Sequence, residues 1–108
     1  MVDFYFSQVP PKVYPFHFPA DSLNAGESLQ LQCSLASGDV PIQITWSFHG
    51  SDTATTTQEG VSIMKLGSKS SVLMVDSLKS SHSGNYTCRA SNSAGTDEYS
   101  ATLVVNGD

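Results

Sequence analysis

Three histidines, His17, His49 and His82, stand in a serine-rich chain, so an imidazole activating a hydroxyl nucleophile is the first chemistry to test. Such a nucleophile needs a base within hydrogen-bond reach and a turn that presents it. No serine here lies in a nucleophile elbow or another motif that positions a triad. His49 falls in a turn after an apolar-alternating run and His82 in a turn before the Tyr86 segment, where a solvated or turn-stabilising ring is expected. No two histidines have a spacing that suits zinc. Asp97 and Glu98 are adjacent, so on a strand they point to opposite faces and do not share a metal ion. Glycine-rich phosphate loops are absent. These residues specify no enzyme and call for no cofactor or metal. One short motif does carry chemistry: Asn85-Tyr86-Thr87 is an N-glycosylation acceptor. Its alternative is an unoccupied tripeptide, because such matches arise by chance.

The elements that carry these residues belong to one domain of 108 residues. The net charge is −5, with ten acids against the scattered bases Lys12, Lys65, Lys69, Lys79 and Arg89. No stripe of bases could track a phosphate backbone, so nucleic acid is not an expected partner. No apolar run approaches the ~20 residues of a membrane span, and no direct membrane contact is expected of this domain. Met1 to Val9 is short for a signal peptide and has Asp3 where a basic region belongs. Residues 1–8 are read as an N-terminal extension, 9–106 as the domain, and 107–108 as C-terminal residues.

Alternation of apolar and polar side chains dominates the pattern. Leu29, Leu31, Cys33 and Leu35 recur at period two with Ser28, Gln30, Gln32 and Ser34 between them. Ile42, Ile44, Trp46 and Phe48 repeat the pattern after a turn at Ser37-Gly38-Asp39. A threonine-rich loop with a short edge strand is expected over 51–57. Val61 to Leu66 and Ser71 to Asp76 read as strands, with Leu73 and Val75 inward and Val72, Met74 and Asp76 outward. Tyr86, Cys88 and Ala90 form the next inward face. A turn at 93–96 leads to a strand with Tyr99, Ala101, Leu103 and Val105 inward. No segment has helical periodicity, so the class is all-β. The stretch from Val9 to Ala20, with Pro10, Pro11, Pro15 and Pro19, reads as an interrupted edge strand that changes sheets at a proline.

Cys33, Trp46 and Cys88, with Ser81-His82-Ser83-Gly84-Asn85-Tyr86-Thr87-Cys88, resemble the core pattern of an immunoglobulin domain. The resemblance implies a sandwich of two antiparallel sheets joined by a Cys33–Cys88 disulfide. Trp46 would pack on the bridge, Leu73 would join the core signature, and Tyr86 would fix a corner. Closing so long a loop stabilises by roughly 4 kcal/mol in the chain-entropy account. A bridge places the domain in an oxidising compartment; the alternative is a reduced pair, as in cytosolic muscle sandwich domains. Phe16 and Phe18 are expected to plug the end of the sandwich, a functional aromatic patch being the alternative.

Further stretches sharpen the resemblance: Pro15-Phe16-His17-Phe18, Gly38-Asp39-Val40-Pro41-Ile42-Gln43-Ile44-Thr45-Trp46, Ser71-Val72-Leu73-Met74-Val75 and Ala90-Ser91-Asn92-Ser93-Ala94-Gly95. With them the chain resembles the intermediate-set domains of arthropod Dscam, the Down syndrome cell adhesion molecule family. It is most similar to the seventh, alternatively spliced domain or to the N-terminal domain of the shortened chelicerate forms. His82 stands where immunoglobulins at large often have aspartate, as variable Dscam domains tend to. The resemblance implies homophilic recognition between cells, by antiparallel self-association through the sheet of strands A, B, E and D. It implies an extracellular place in a membrane-anchored receptor ectodomain, with neighbouring immunoglobulin domains. Candidate interface residues are Gln30, Gln32, Met64, Lys65, Met74 and Asp76, with Met74 and Gln30 central and Lys65 and Asp76 off-axis. Of Ile63 and Met64, one is expected to be exposed. Because Tyr86 points in, Asn85 points out on the opposite sheet. A heterophilic domain binding through its loops or the C-F-G face, and a passive spacer, remain alternatives.

Overall fold

A computed structural model describes residues 8–50, 54–55 and 60–107, with the backbone alone at 54–55. Most of the extension expected at 1–8, most of the loop expected over 51–57, and Asp108 lie outside the described residues. The strands are β1 (Lys12–Val13), β2 (Leu23–Asn24), β3 (Leu29–Ser37), β4 (Gln43–Gly50), β5 (Ala54–Thr55), β6 (Val61–Leu66), β7 (Ser70–Val75), β8 (Gly84–Asn92), β9 (Gly95–Leu103) and β10 (Val105–Asn106). A 3-10 turn, Ser80–His82, precedes β8. One sheet has the order β1-β3-β7-β6 and the other β5-β4-β8-β9, while β10 pairs with β2 in parallel. In immunoglobulin lettering these two sheets are A-B-E-D and C′-C-F-G.

Alternation becomes a core because both sheets turn their apolar side inward. Leu29, Leu31, Cys33 and Leu35 of β3 are buried, as are Leu73 and Val75 of β7, facing Trp46 and Phe48 of β4 and Tyr86, Cys88 and Ala90 of β8. The Cys33–Cys88 disulfide joins the sheets across a Cα–Cα distance of 6.5 Å. Beside it the Trp46 indole N–H donates to Ser71 Oγ at 3.0 Å, a hydrogen bond that also runs between the sheets. Both groups are buried, so each needs the other.

The corner before β8 is built around a histidine. Tyr86 donates its hydroxyl to the His82 carbonyl oxygen at 2.7 Å. The His82 ring is itself buried, and its Nδ1 accepts the Lys79 backbone N–H at 2.9 Å. Of the two roles open to His82, turn-stabilising or solvated, the ring takes the first. Gly84 opens β8 at φ +154°, and a Cβ there would lie 2.5 Å from the His49 carbonyl oxygen, so the approach of β8 to β4 requires glycine.

The proline-rich start does change sheets. β1 pairs with β3 and carries a register irregularity at Lys12/Val13. The chain then crosses to β10, meeting it at β2, beyond the expected end at Ala20. Phe16 departs from the expected end plug: it packs on Trp46 and Tyr99 with ring centroids 5.7 and 5.0 Å away. Proline-restricted backbone between β1 and β2 places this ring against one ring from β4 and one from β9. Phe18 is half-buried against Tyr86 at 5.9 Å.

Candidate functional site

The pairing registers arrange the outer side of β3, β7 and β6 in three rows of three: Gln30, Met74 and Ser62; Gln32, Val72 and Met64; Ser34, Ser70 and Leu66. The fourth strand of this sheet, β1, adds the exposed Lys12. The row positions follow from burial of their neighbours, since inward Leu29, Leu31 and Cys33 of β3 send Gln30, Gln32 and Ser34 outward. None of the nine is charged. Met64 is 49% and Leu66 44% exposed, and Val72 and Met74 are partly covered beside them. The polar positions are partly bonded to one another, Gln32 Nε2 donating to Ser34 Oγ at 3.0 Å and Ser70 Oγ to Ser34 Oγ at 3.3 Å. An apolar centre therefore lies toward β6, with an amide and hydroxyl margin along β3.

Strand β6 corrects one expected interface residue. Lys65 pairs with Ser71, and Ser71 is buried, so Lys65 projects to the inner side of the sheet and not to the outer surface. It lines a cleft of about 330 Å³ with Ile42, Gln43, Ile44, Ile63 and Ser71. Ile63 pairs with Leu73 on the same inner side and is nevertheless 56% exposed. β6 is the edge strand of its sheet, and among the described residues β5 pairs with β4 at Phe48 and His49. Ile63 and Met64 are thus both exposed, on opposite faces. An inward-pointing lysine is one of the ways an edge strand avoids pairing with another chain. Asp76 lies one residue past β7, exposed at the margin of the outer face.

The outer side of the other sheet has a different composition. Its rows are His49, Asn85 and Thr102; Ser47, Thr87 and Ser100; Thr45, Arg89 and Glu98; Gln43, Ser91 and Thr96. All are polar. Thr87 and Ser100 share a hydrogen bond of 2.6 Å, Thr102 Oγ1 donates to Asn85 Oδ1 at 3.3 Å, and Arg89 stands across from Glu98. No Phe, Tyr or Trp ring stands in these rows, so the aromatic patch that would favour heterophilic binding through this sheet is missing from them. Among the described residues no group of three or more His, Cys, Asp or Glu could hold a metal ion, and no helix is long and apolar enough to cross a membrane.

Residues 10–92 match the immunoglobulin domain family. The chain is an immunoglobulin domain. It is 39% identical over 98 residues to the cell adhesion molecule Dscam1 of Drosophila melanogaster, covering 91% of this chain and 5% of that protein. Against the cell adhesion molecule DSCAML1 of Homo sapiens the identity is 41% over 98 residues, covering 91% of this chain and 4% of the relative. The chain thus spans a small fraction of the length of the curated relatives it matches. Among solved structures, the Dscam1 Ig7 domain, isoform 5, superposes with a TM-score of 0.82 at 39% identity, covering 93% of this chain and 99% of that one. The domain therefore belongs with the Dscam immunoglobulin domains, a family without catalytic function.

The immunoglobulin domain has one further cluster that sequence reasoning missed. Asn92 Nδ2 donates to the Val9 carbonyl at 2.8 Å and to the Asp39 carbonyl at 3.0 Å. Its Oδ1 accepts the N–H groups of Ala94 and Gly95 at 2.9 and 3.1 Å, shaping the turn into β9. Asp39 Oδ2 accepts the Val9 N–H at 2.8 Å, and the Asp39 N–H returns a bond to the Val9 carbonyl at 3.0 Å. One residue of the N-terminal segment is thus clamped between two loops. The local half of this cluster, an asparagine bonding N–H groups two and three residues on, was visible as an Asx-type turn signal. The long-range half had no local signal. Asp97 plays a similar part by accepting the Val13 N–H at 2.8 Å, which attaches β1 to the edge of β9.

Proposed function

We propose that this domain is a homophilic recognition module of a cell-adhesion receptor, lying outside the cell among neighbouring immunoglobulin domains. In this reading it binds a copy of itself on an opposing cell, antiparallel, through the outer side of the β1-β3-β7-β6 sheet. One observation carries the reading: the three-by-three face is free of charge and apolar at its centre in a chain of net charge −5. Two like-charged copies repel unless their contact is locally neutral. A two-fold axis also sets residues against their own copies, so a charge near the axis would oppose itself. Gln30 and Met74 occupy one row and satisfy that condition, while Met64, Leu66 and Val72 extend the apolar area. Methionine adapts to a facing surface because its chain is unbranched and polarisable.

Sedimentation equilibrium of the domain over a wide concentration range, at low and high salt, tests this reading. A reversible monomer–dimer equilibrium is expected. With Lys65 turned inward, the exposed Asp76 at the margin and the exposed Lys12 of β1 are among the charges beside the face, and any salt dependence of the equilibrium is expected to come from such rim charges. Met74→Asp should abolish the dimer by burying an unpaired charge. A strict monomer at every concentration would refute self-association by this domain, and a dimer indifferent to Met74→Asp would refute the face.

A further inference from the structure

We infer that Asn85 carries an N-linked oligosaccharide, which covers the outer β5-β4-β8-β9 sheet and leaves the opposite sheet as the bare protein surface. Asn85-Tyr86-Thr87 is the one Asn-x-Ser/Thr tripeptide in the chain. Strand parity decides whether the folded domain can hold a sugar there. Tyr86 is buried at 1% exposure, so Asn85, one residue before it, projects outward and is exposed. Its cross-strand neighbours are His49 on β4 and Thr102 on β9, both exposed and polar. Thr102 Oγ1 donates to Asn85 Oδ1 at 3.3 Å, which directs the amide nitrogen Nδ2 away from β9.

The group transferred is the oligosaccharide of a polyisoprenyl-pyrophosphate donor, encountered before β8 pairs with its neighbours. Nδ2 forms a bond to the anomeric carbon of the first N-acetylglucosamine. The bond from that carbon to the pyrophosphate oxygen breaks, and the lipid pyrophosphate leaves with the electron pair. The amide gives up one proton. The disulfide forms in the same oxidising compartment in which this donor is used. Once β8 has folded, the sugar stands over the rows that begin with His49 and Ser47. No buried group has to move to admit it.

A glycan on this sheet makes the domain two-sided. A hydrated oligosaccharide over Asn85 keeps a second protein from the rows around it, whereas the three-by-three face on the other sheet is left open. The inference uses the extracellular placement proposed above and does not depend on self-association.

The test is to secrete the domain from mammalian cells behind a cleavable leader and record its intact mass. A heterogeneous mass above the 11.5 kDa polypeptide is expected. Peptide-N-glycosidase digestion should collapse it to one species with aspartate at position 85. Asn85→Gln and Thr87→Ala should each abolish the added mass, and Thr87→Ser should retain it. A secreted wild-type protein of bare polypeptide mass would overturn the inference. Sedimentation of the glycosylated and Asn85→Gln forms separates this outcome from the proposed function. Equal self-association supports a glycan that lies off the contact face. Stronger association without the glycan would overturn the division of the two sheets, while the mass result would stand by itself.

Discussion

The two sheets of this domain share strand geometry and a common core, and differ on the sides turned away from it. On the β1-β3-β7-β6 sheet, three adjacent rows contain Met64, Leu66, Val72 and Met74 without a charge. Four rows on the β4-β8-β9 sheet contain hydroxyls, amides, His49 and the facing Arg89 and Glu98, with no large apolar side chain. Folding alone does not require this difference, because either outer face could be solvated by polar residues. Sites that pack inward determine stability, and sites that face outward are free to be selected for contact. The outer apolar patch is therefore the informative feature, while the polar sheet is what an uncommitted or sugar-covered surface looks like.

The largest expected effect breaks the comparison directly. Replacing Met64 and Met74 together by aspartate should weaken self-association by about a thousandfold or more, on the scale of ~2 kcal/mol for each central contact and about 1.4 kcal/mol per factor of ten. Thermal unfolding should change little, because both side chains face outward. Next in size, Ser71→Ala strips the buried Trp46 indole of its acceptor. A loss of about 1–3 kcal/mol in stability is expected, measured by urea denaturation, whereas Ser70→Ala on the outer side should stay within about 0.5 kcal/mol. Self-association of the folded Ser71→Ala protein should match the wild type. Smaller again is Thr45→Asp on the polar sheet, expected to shift the dimer constant by no more than about twofold, a change within about 0.5 kcal/mol. Lys65→Glu should have the least effect on association, since the lysine lines the inner cleft. A large change from either of these last two would locate the contact on the wrong side of the division drawn here.

Much of the framework was legible because burial is written locally. In β3 Leu29, Leu31 and Cys33 are each followed by a polar residue, and the alternation alone assigned Gln30 and Gln32 to the outer side. The same reasoning placed Met74 between Leu73 and Val75. It failed at β6, where Ile63-Met64-Lys65-Leu66 does not alternate cleanly and the strand lies at an edge. Such a strand buries too little to signal its own register, and only its pairing with β7 shows that Lys65 turns inward. Phe16 shows another limit. A ring between prolines was legible as apolar, but its contact with Trp46 depends on how the chain crosses between sheets.

The sequence by itself determined the class of fold, the cysteine–tryptophan–cysteine centre, the corner tyrosine and the facing of every cleanly alternating strand. The facing of the strands depends on period-two burial, whereas the pairing of Cys33 with Cys88, 55 residues apart, and the corner tyrosine were implied by the resemblance to the immunoglobulin pattern. Tertiary structure alone decided the row neighbours on each sheet, the inward turn of Lys65, the Ser71 acceptor for Trp46, and the clamp of Val9 by Asp39 and Asn92. The physical reason is separation along the chain. Asn92 and Val9 are 83 residues apart, and Asp39 and Val9 are 30 apart. Hydrogen bonds of that span exist only after both sheets have packed, and no local spacing of residues encodes which partner will be met.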